Sequence, residues 1–324
     1  MKQKVYVTRH LPEAALNELV QGCDVEIWDH ETPPPYDLIV EKVRDKEGLL
    51  CLLTDRIDAA LMDASPRLKV ISQCAVGFDN VDLVAATERG IPVGNTPGVL
   101  TDATADFAFT LLMAAARRVG EAIDYVRAGH WQTWGLTLLL GQDVYGATLG
   151  LIGFGRIGQA VARRARGFDM RVLYYDVMRQ PEAEAELRAE YRPLDELLQE
   201  SDYVSLHVSL TEQTQGLMGA RAFTLMKPTA TLINTSRGPV VDTEALYQAL
   251  KAGDLAYAAL DVTDPEPLPA GHKLLELPNL IVAPHIASAT VSSRTLMARR
   301  AVSNLLAGLQ GQRLPYCANP QVYE

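Results

Sequence analysis

The sequence predicts an α/β protein built of two lobes, each a doubly wound parallel sheet. Three observations predict it. Short apolar runs alternate with amphipathic stretches along most of the 324 residues, the pattern of parallel strands covered by helices on both faces. The alternation is interrupted once, near residue 100, by a long helical stretch and an irregular segment. The length itself suits roughly two domains of ~150 residues.

The first series runs in order. "KVYVT" reads as a strand, "PEAALNELVQG" as a helix and "DVEIW" as a strand. "YDLIVEKVRD" has helical spacing, and "GLLCLL" is a buried strand. "DAALMDAS" is helical, "LKVISQC" a strand, "VDLVAATERG" a helix stopped by Gly90, and "IPVGN" a strand. Pro97 and Gly98 then form a turn pair. One helix of about 25 residues is expected from Thr101 or Asp102 to about 128, with Gly129 as its stop. The segment "HWQTWGLTLLLGQDVYG" has no clear period, and its Trp131 and Trp134 read as packing residues.

The second series contains the strands "ATLGLIGFG", "MRVLYYD", "YVSLHV", "ATLINTS", "YAALDV" and "LIVAPH". "RIGQAVARRARGF", "LDELLQES" and "DTEALYQALKAG" are helical stretches between them. A last helical pattern, "TVSSRTLMARRAVSNLLAGLQG", follows too late to feed another strand and reads as a return to the first lobe. The expected domains are therefore 1–99 with 287–324, a flavodoxin-like substrate domain, and 100–286, a Rossmann dinucleotide-binding domain.

Composition excludes some functions. There are 30 Lys and Arg against 40 Asp and Glu, a formal charge of −10. Such a surface repels nucleic acid and anionic membranes. The N-terminus lacks the apolar core of a signal peptide, and the richest apolar stretches, near ten residues, are too short to span a bilayer. The four cysteines, Cys23, Cys51, Cys74 and Cys317, are scattered. No disulfide framework or metal site is expected, and the predicted compartment is the cytoplasm.

The phosphate cradle is the most specific local feature. "LGLIGFGRIGQA" sets Gly153, Gly155 and Gly158 in G-x-G-x-x-G spacing, after a strand and at the start of a helix. Gly153 permits the tight turn, Gly155 lets a pyrophosphate reach the backbone, and Gly158 lets helix and strand pack closely. The N–H groups near Arg156 and Ile157 face the anion. Asp176 ends the next strand about twenty residues on, where its carboxylate can accept bonds from ribose hydroxyls and repel a 2′-phosphate. NADH is therefore expected in preference to NADPH, with Arg179 near enough to soften the preference.

Three polar residues follow apolar runs: Arg237 in "LINTSRGPVVD", Glu266 in "ALDVTDPEP" and His285 in "LIVAPHIASAT". Singly they read as a surface ion pair, a solvated loop acid and a core ring. Behind a dinucleotide fold they match 2-keto acid reduction. A guanidinium fork grips the carboxylate and polarises the carbonyl, and an imidazole supplies the proton. A carboxylate on the other ring nitrogen orients the imidazole.

The chain resembles the D-isomer-specific 2-hydroxyacid dehydrogenases through "GFGRIG", "NTSRGPVVD", "DVTDPEP" and "APHIASAT". "LLTDRID", "AVGFDN" and "GIPVGNTPG" are similar to the glyoxylate/hydroxypyruvate reductase branch. The resemblance implies Arg237, Glu266 and His285 as the catalytic set, with Leu53, Val76 and Gly77 bordering the substrate. It places Thr104 near the nicotinamide. Thr235, Ser236, Asp261 and Ser288 are further cofactor candidates, with His207 beside the adenine. Arg294 is a candidate for added positive charge near the substrate. A homodimer through the helix near 101–128 and the following arm is expected. The alternatives are a phosphite or other small-anion dehydrogenase and an NAD(H)-sensing, corepressor-like binding protein. Val76, where phosphite dehydrogenases carry a lysine, argues against phosphite, and Glu266 argues against formate. The particular keto acid is not legible.

Overall fold

The computed structural model describes residues 2–324. The chain forms two compact units, residues 1–100 with 289–324, and residues 101–288.

The first unit begins with β1 (Gln3–Val7), α1 (Glu13–Gly22), β2 (Cys23–Ile27) and α2 (Tyr36–Val43). It continues with β3 (Gly48–Cys51), α3 (Ala59–Asp63), β4 (Val70–Gln73), α4 (Leu83–Glu88) and β5 (Val93–Gly94). Each of the five expected strands is present. They pair in parallel in the order β2-β1-β3-β4-β5. β3 and β4 are buried along their whole length, as strands covered on both faces must be.

The second unit opens with α5 (Thr101–Ala116) and α6 (Val119–Arg127). Then come β6 (Thr148–Ile152), α7 (Arg156–Ala165), β7 (Arg171–Tyr175), α8 (Pro181–Leu187) and β8 (Ala189–Tyr191). α9 (Leu194–Glu200), β9 (Tyr203–Leu206), α10 (Ala220–Leu225) and β10 (Thr231–Asn234) follow. α11 (Thr243–Ala252), β11 (Tyr257–Leu260) and β12 (Leu280–Val282) complete the unit. The seven strands are parallel, in the order β12-β11-β10-β9-β6-β7-β8. The order reverses between β9 and β6, so ligands are expected beyond the carboxyl ends of those two strands.

The final helix, α12 (Val291–Leu309), belongs to the first unit. Its Ala298, Ala301, Val302 and Leu305 share a core with Val5, Leu50 and Val70. Buried Asn304 donates to the Asn95 carbonyl (2.9 Å) and accepts from the Tyr316 N–H (3.0 Å). A Cβ on Gly94 would lie 2.6 Å from the Asn304 side chain, so β5 and α12 approach only because that position has none.

Three local expectations are corrected. The helix expected over 101–128 is two helices. Gln142 N–H donates to the Ala116 carbonyl (2.8 Å), taking the acceptor a continuing helix would need. Arg118 then turns left-handed (φ 52°) and forks onto Glu121 (2.9 and 2.7 Å). Trp131 and Trp134 do not pack within the chain, being 62% and 76% exposed. The short β8, α8 and α10 went unpredicted, because three, seven and six residues without a clear apolar stripe carry too little periodicity.

Candidate active site

The cradle begins where β6 ends. Gly153 has φ 94°, and a Cβ there would meet the His207 backbone at 2.7 Å. A Cβ on Gly158 would lie 2.2 Å from the Gly153 carbonyl oxygen. Nothing lies within 4 Å of the position a Cβ would take on Gly155, which leaves that backbone open in front of α7. Arg156 and Ile157 are the first residues of α7. The close approaches and the open face fit a pyrophosphate resting on a helix N-terminus.

Asp176 follows β7. Its Oδ2 accepts from Phe154 N–H (2.7 Å) and its Oδ1 from Met178 N–H (3.4 Å), which ties it to the glycine loop. Phe154 stacks on Tyr174 beneath that loop, with centroids 4.0 Å apart. His207 follows β9, its N–H on the Ile152 carbonyl (2.7 Å) and its Nε2 2.9 Å from Ser205 Oγ. Burial pushes its protonation down to about 3, so a neutral ring supports the cradle from below.

Arg237 leaves β10 through a turn braced by Asn234. That buried amide accepts from the Ser236 N–H (3.0 Å) and Oγ (2.8 Å) and donates to the Arg237 carbonyl (2.9 Å). Gly238 lies against the Glu266 loop, where a Cβ would sit 1.9 Å from the Thr263 carbonyl oxygen. Thr263 N–H in turn donates to Glu266 Oε2 (3.3 Å).

His285 follows β12 in a left-handed conformation, φ 55°, uncommon for a residue with a side chain. Asp261 holds it there. The Asp261 carbonyl accepts from His285 N–H (2.8 Å), and its carboxylate accepts from Ile286 (2.7 Å) and Ala287 (2.8 Å). Burial raises the Asp261 carboxyl despite those two bonds. His285 Nδ1 then lies 2.6 Å from Glu266 Oε1. Burial alone would raise the Glu266 carboxyl. The His285 contact outweighs it, helped by Thr263 N–H and the Arg237 charge, and leaves the group below its ordinary range.

Other expected positions divide between the units. Thr104 is buried in α5, and Ser288 is buried at the end of the second unit. Thr235 Oγ1 is buried with no hydrogen-bond partner, which suits a site that a cofactor completes. Leu53, Val76, Gly77 and Arg294 all belong to the first unit. There Asn80 Nδ2 donates to the carbonyls of Leu52 (3.0 Å) and Asp55 (2.7 Å), and Gln73 Nε2 donates to Asn80 Oδ1 (2.8 Å). Asn95 holds the Val76 carbonyl (2.8 Å). The loops after β3 and β4 are thus laced together. Arg294 lies in the first turn of α12, close enough that its charge opposes the upward push of burial on the Cys74 thiol, which stands at about 12.

Asn234, Gly238, Gln73 and Asn80 were not singled out from the sequence. Asn234 and Gly238 lie inside "NTSRGP", the stretch whose Thr235, Ser236 and Arg237 are the sequence candidates. Among the described residues no group of three or more His, Cys, Asp or Glu could hold a metal ion. No helix there is long and apolar enough to cross a membrane.

Known proteins share this fold and its dinucleotide-binding domain. A family model described as "D-isomer specific 2-hydroxyacid dehydrogenase, NAD binding domain" matches residues 109–287. The glyoxylate reductase of Korarchaeum cryptofilum is 53% identical, over 99% of this chain and 97% of that protein. The crystal structure of the TT0316 protein from Thermus thermophilus has a TM-score of 0.92 at 50% identity, covering 97% of this chain and 99% of the other. The NADPH-dependent glyoxylate/hydroxypyruvate reductase of Sinorhizobium meliloti has a TM-score of 0.87 at 32% identity, covering 99% and 98%.

Proposed function

The chain belongs to the D-isomer-specific 2-hydroxyacid dehydrogenases, in their glyoxylate-reductase-like branch, and from that premise we propose that its substrate is glyoxylate, hydroxypyruvate or a keto acid of similar size. The family reaction, reduction of a small 2-keto acid to a D-2-hydroxy acid with a nicotinamide dinucleotide, is this chain's reaction class. The finer assignments rest chiefly on one observation, the 2.6 Å contact between His285 and Glu266 in the unit that also carries Arg237.

Gly153, Gly155, Gly158 and the α7 N-terminus hold the pyrophosphate, Asp176 the ribose, and Thr104, Thr235, Ser236, Asp261 and Ser288 surround the nicotinamide end. The dinucleotide, when bound, supplies a hydride to the carbonyl carbon. Arg237 grips the substrate carboxylate and draws charge toward the carbonyl oxygen. Glu266 takes Nδ1 of His285, so Nε2 is the nitrogen that gives a proton to the developing alkoxide. In the oxidation direction the neutral ring takes that proton back. Leu53 and the Val76–Gly77 backbone border the substrate, and Arg294 adds positive charge. Asp176 favours NADH by repelling a 2′-phosphate. Residues 1–100 with 289–324 serve as the substrate domain and 101–288 as the dinucleotide domain.

A steady-state panel of glyoxylate, hydroxypyruvate and pyruvate with NADH and NADPH tests the assignment. Turnover is expected with NADH on glyoxylate, on hydroxypyruvate or on both. His285→Ala is expected to keep NADH binding and lose turnover by roughly 10²–10⁴-fold. A folded variant with near-normal turnover would reject His285 as the acid.

A further inference from the structure

The loop after Asp176 carries a cation that is already spoken for. Arg179 Nε donates to Glu184 Oε1 (3.1 Å) and Nη2 donates to Oε2 (2.7 Å), a two-pronged grip on the first turn of α8. The Tyr174 hydroxyl donates to the same Glu184 Oε1 and accepts from Gln180 N–H (2.9 Å). Arg179 also lies over the Tyr191 ring, 5.4 Å from its centroid. The hydrogen bonds from Arg179 and Tyr174 hold the Glu184 carboxyl below its ordinary range, so it stays charged at neutral pH.

Arg179 is three residues from Asp176, within one side chain's reach of where a 2′-phosphate would lie. Its pairing offsets its charge and commits the Nε and Nη2 edge of the fork to Glu184. From this geometry we infer that Glu184, anchored by Tyr174, is a specificity-determining residue that withholds Arg179 from the cofactor's 2′-position. The inference rests on the reading that the chain prefers NADH, and gives that preference a second cause. Asp176 repels the phosphate, and Glu184 removes the nearby cation that would otherwise offset the repulsion.

The experiment measures binding of 2′,5′-ADP and of ADP at low salt, together with kcat/KM for NADPH and NADH. In Glu184→Gln, affinity for 2′,5′-ADP is expected to rise about tenfold, the size of one charge-assisted contact. ADP affinity and kcat/KM for NADH are expected to hold. The gain should vanish in Arg179→Gln/Glu184→Gln. Glu184→Gln also weakens the acceptor of the Tyr174 hydroxyl, so the measurement is repeated in Tyr174→Phe/Glu184→Gln, which removes that hydroxyl and leaves only the Gln180 N–H to find another acceptor. An unchanged 2′,5′-ADP affinity, or a gain that survives loss of Arg179, overturns the latch. Wild-type protein that uses NADPH as well as NADH overturns the underlying cofactor reading instead.

Discussion

The contact between His285 Nδ1 and Glu266 Oε1 makes a definite demand on the orientation of the ring. Against the upward push of burial, the His285 hydrogen bond leaves the Glu266 carboxyl below its ordinary range, so a charged acceptor fixes the imidazole in the proposed site. In Glu266→Gln a neutral amide takes its place, and kcat/KM for keto acid reduction is expected to fall about tenfold or more while NADH binding holds. Steady-state kinetics on the folded variant check the loss, and an unchanged kcat/KM would remove Glu266 from the role. His207 carries the dependence on pH. Its folded-state protonation lies at about 3 because the ring is buried, against about 6.5 in an unfolded chain. The stability tied to the neutral ring is complete above about 6.5 and is lost as pH falls from there through about 3. His207→Asn should therefore lose less stability than wild type between about pH 7 and about pH 4, as read from denaturant midpoints.

At the scale of elements, the site depends on how loops are pinned at strand ends. Gly238 allows the Arg237 turn to rest on Thr263, with 1.9 Å between a missing Cβ and a carbonyl oxygen. Gly238→Ala must push the two loops apart and move Arg237 relative to Glu266. A shift of about 1 Å at a substrate-gripping residue can cost about 10²-fold in kcat/KM, and that is the loss expected in a folded variant. An alanine variant with wild-type kinetics would show that the loops are not rigidly coupled. In the first unit Asn80 ties the turn before Leu53 to Gln73. Asn80→Ala is expected to raise KM for the keto acid more than it lowers kcat, because the loops it loosens are proposed to border the substrate and not to move its proton. Elements were legible wherever periodicity ran long enough. All five strands of the first sheet and six of seven in the second were read correctly. The split of α5 from α6 was not legible, because the Gln142 N–H that occupies the Ala116 carbonyl arrives from 26 residues down the chain.

At the scale of the whole molecule, the exposed apolar arm calls for a partner. Ile123, Val126, Trp131, Trp134, Leu136 and Leu140 are between 44% and 80% exposed. Apolar side chains clustered along one segment in this way mark an interaction surface, and the partner proposed is a second copy of the chain. Light scattering on Trp131→Ser/Trp134→Ser is expected to show a shift from dimer toward monomer at micromolar concentration. A wild-type protein that is monomeric at the same concentration would refute the arm as a dimer contact.

The sequence by itself determined the alternation of strand and helix, the glycine cradle with its acid, and the three side chains at strand ends. These are local features, written in spacing and residue type, and physical chemistry constrains them tightly. Only the tertiary structure decided that Glu266 meets His285 through Nδ1, that Asp261 holds the histidine turn and that Glu184 has captured Arg179. Such pairings depend on which strand lies beside which and on where each loop comes to rest. Spacing along the chain does not encode those distances: the partners of the histidine turn lie 19 to 26 positions away and meet only after the sheet has set their register, and Arg179 and Glu184, five apart, meet only where the loop comes to rest against α8.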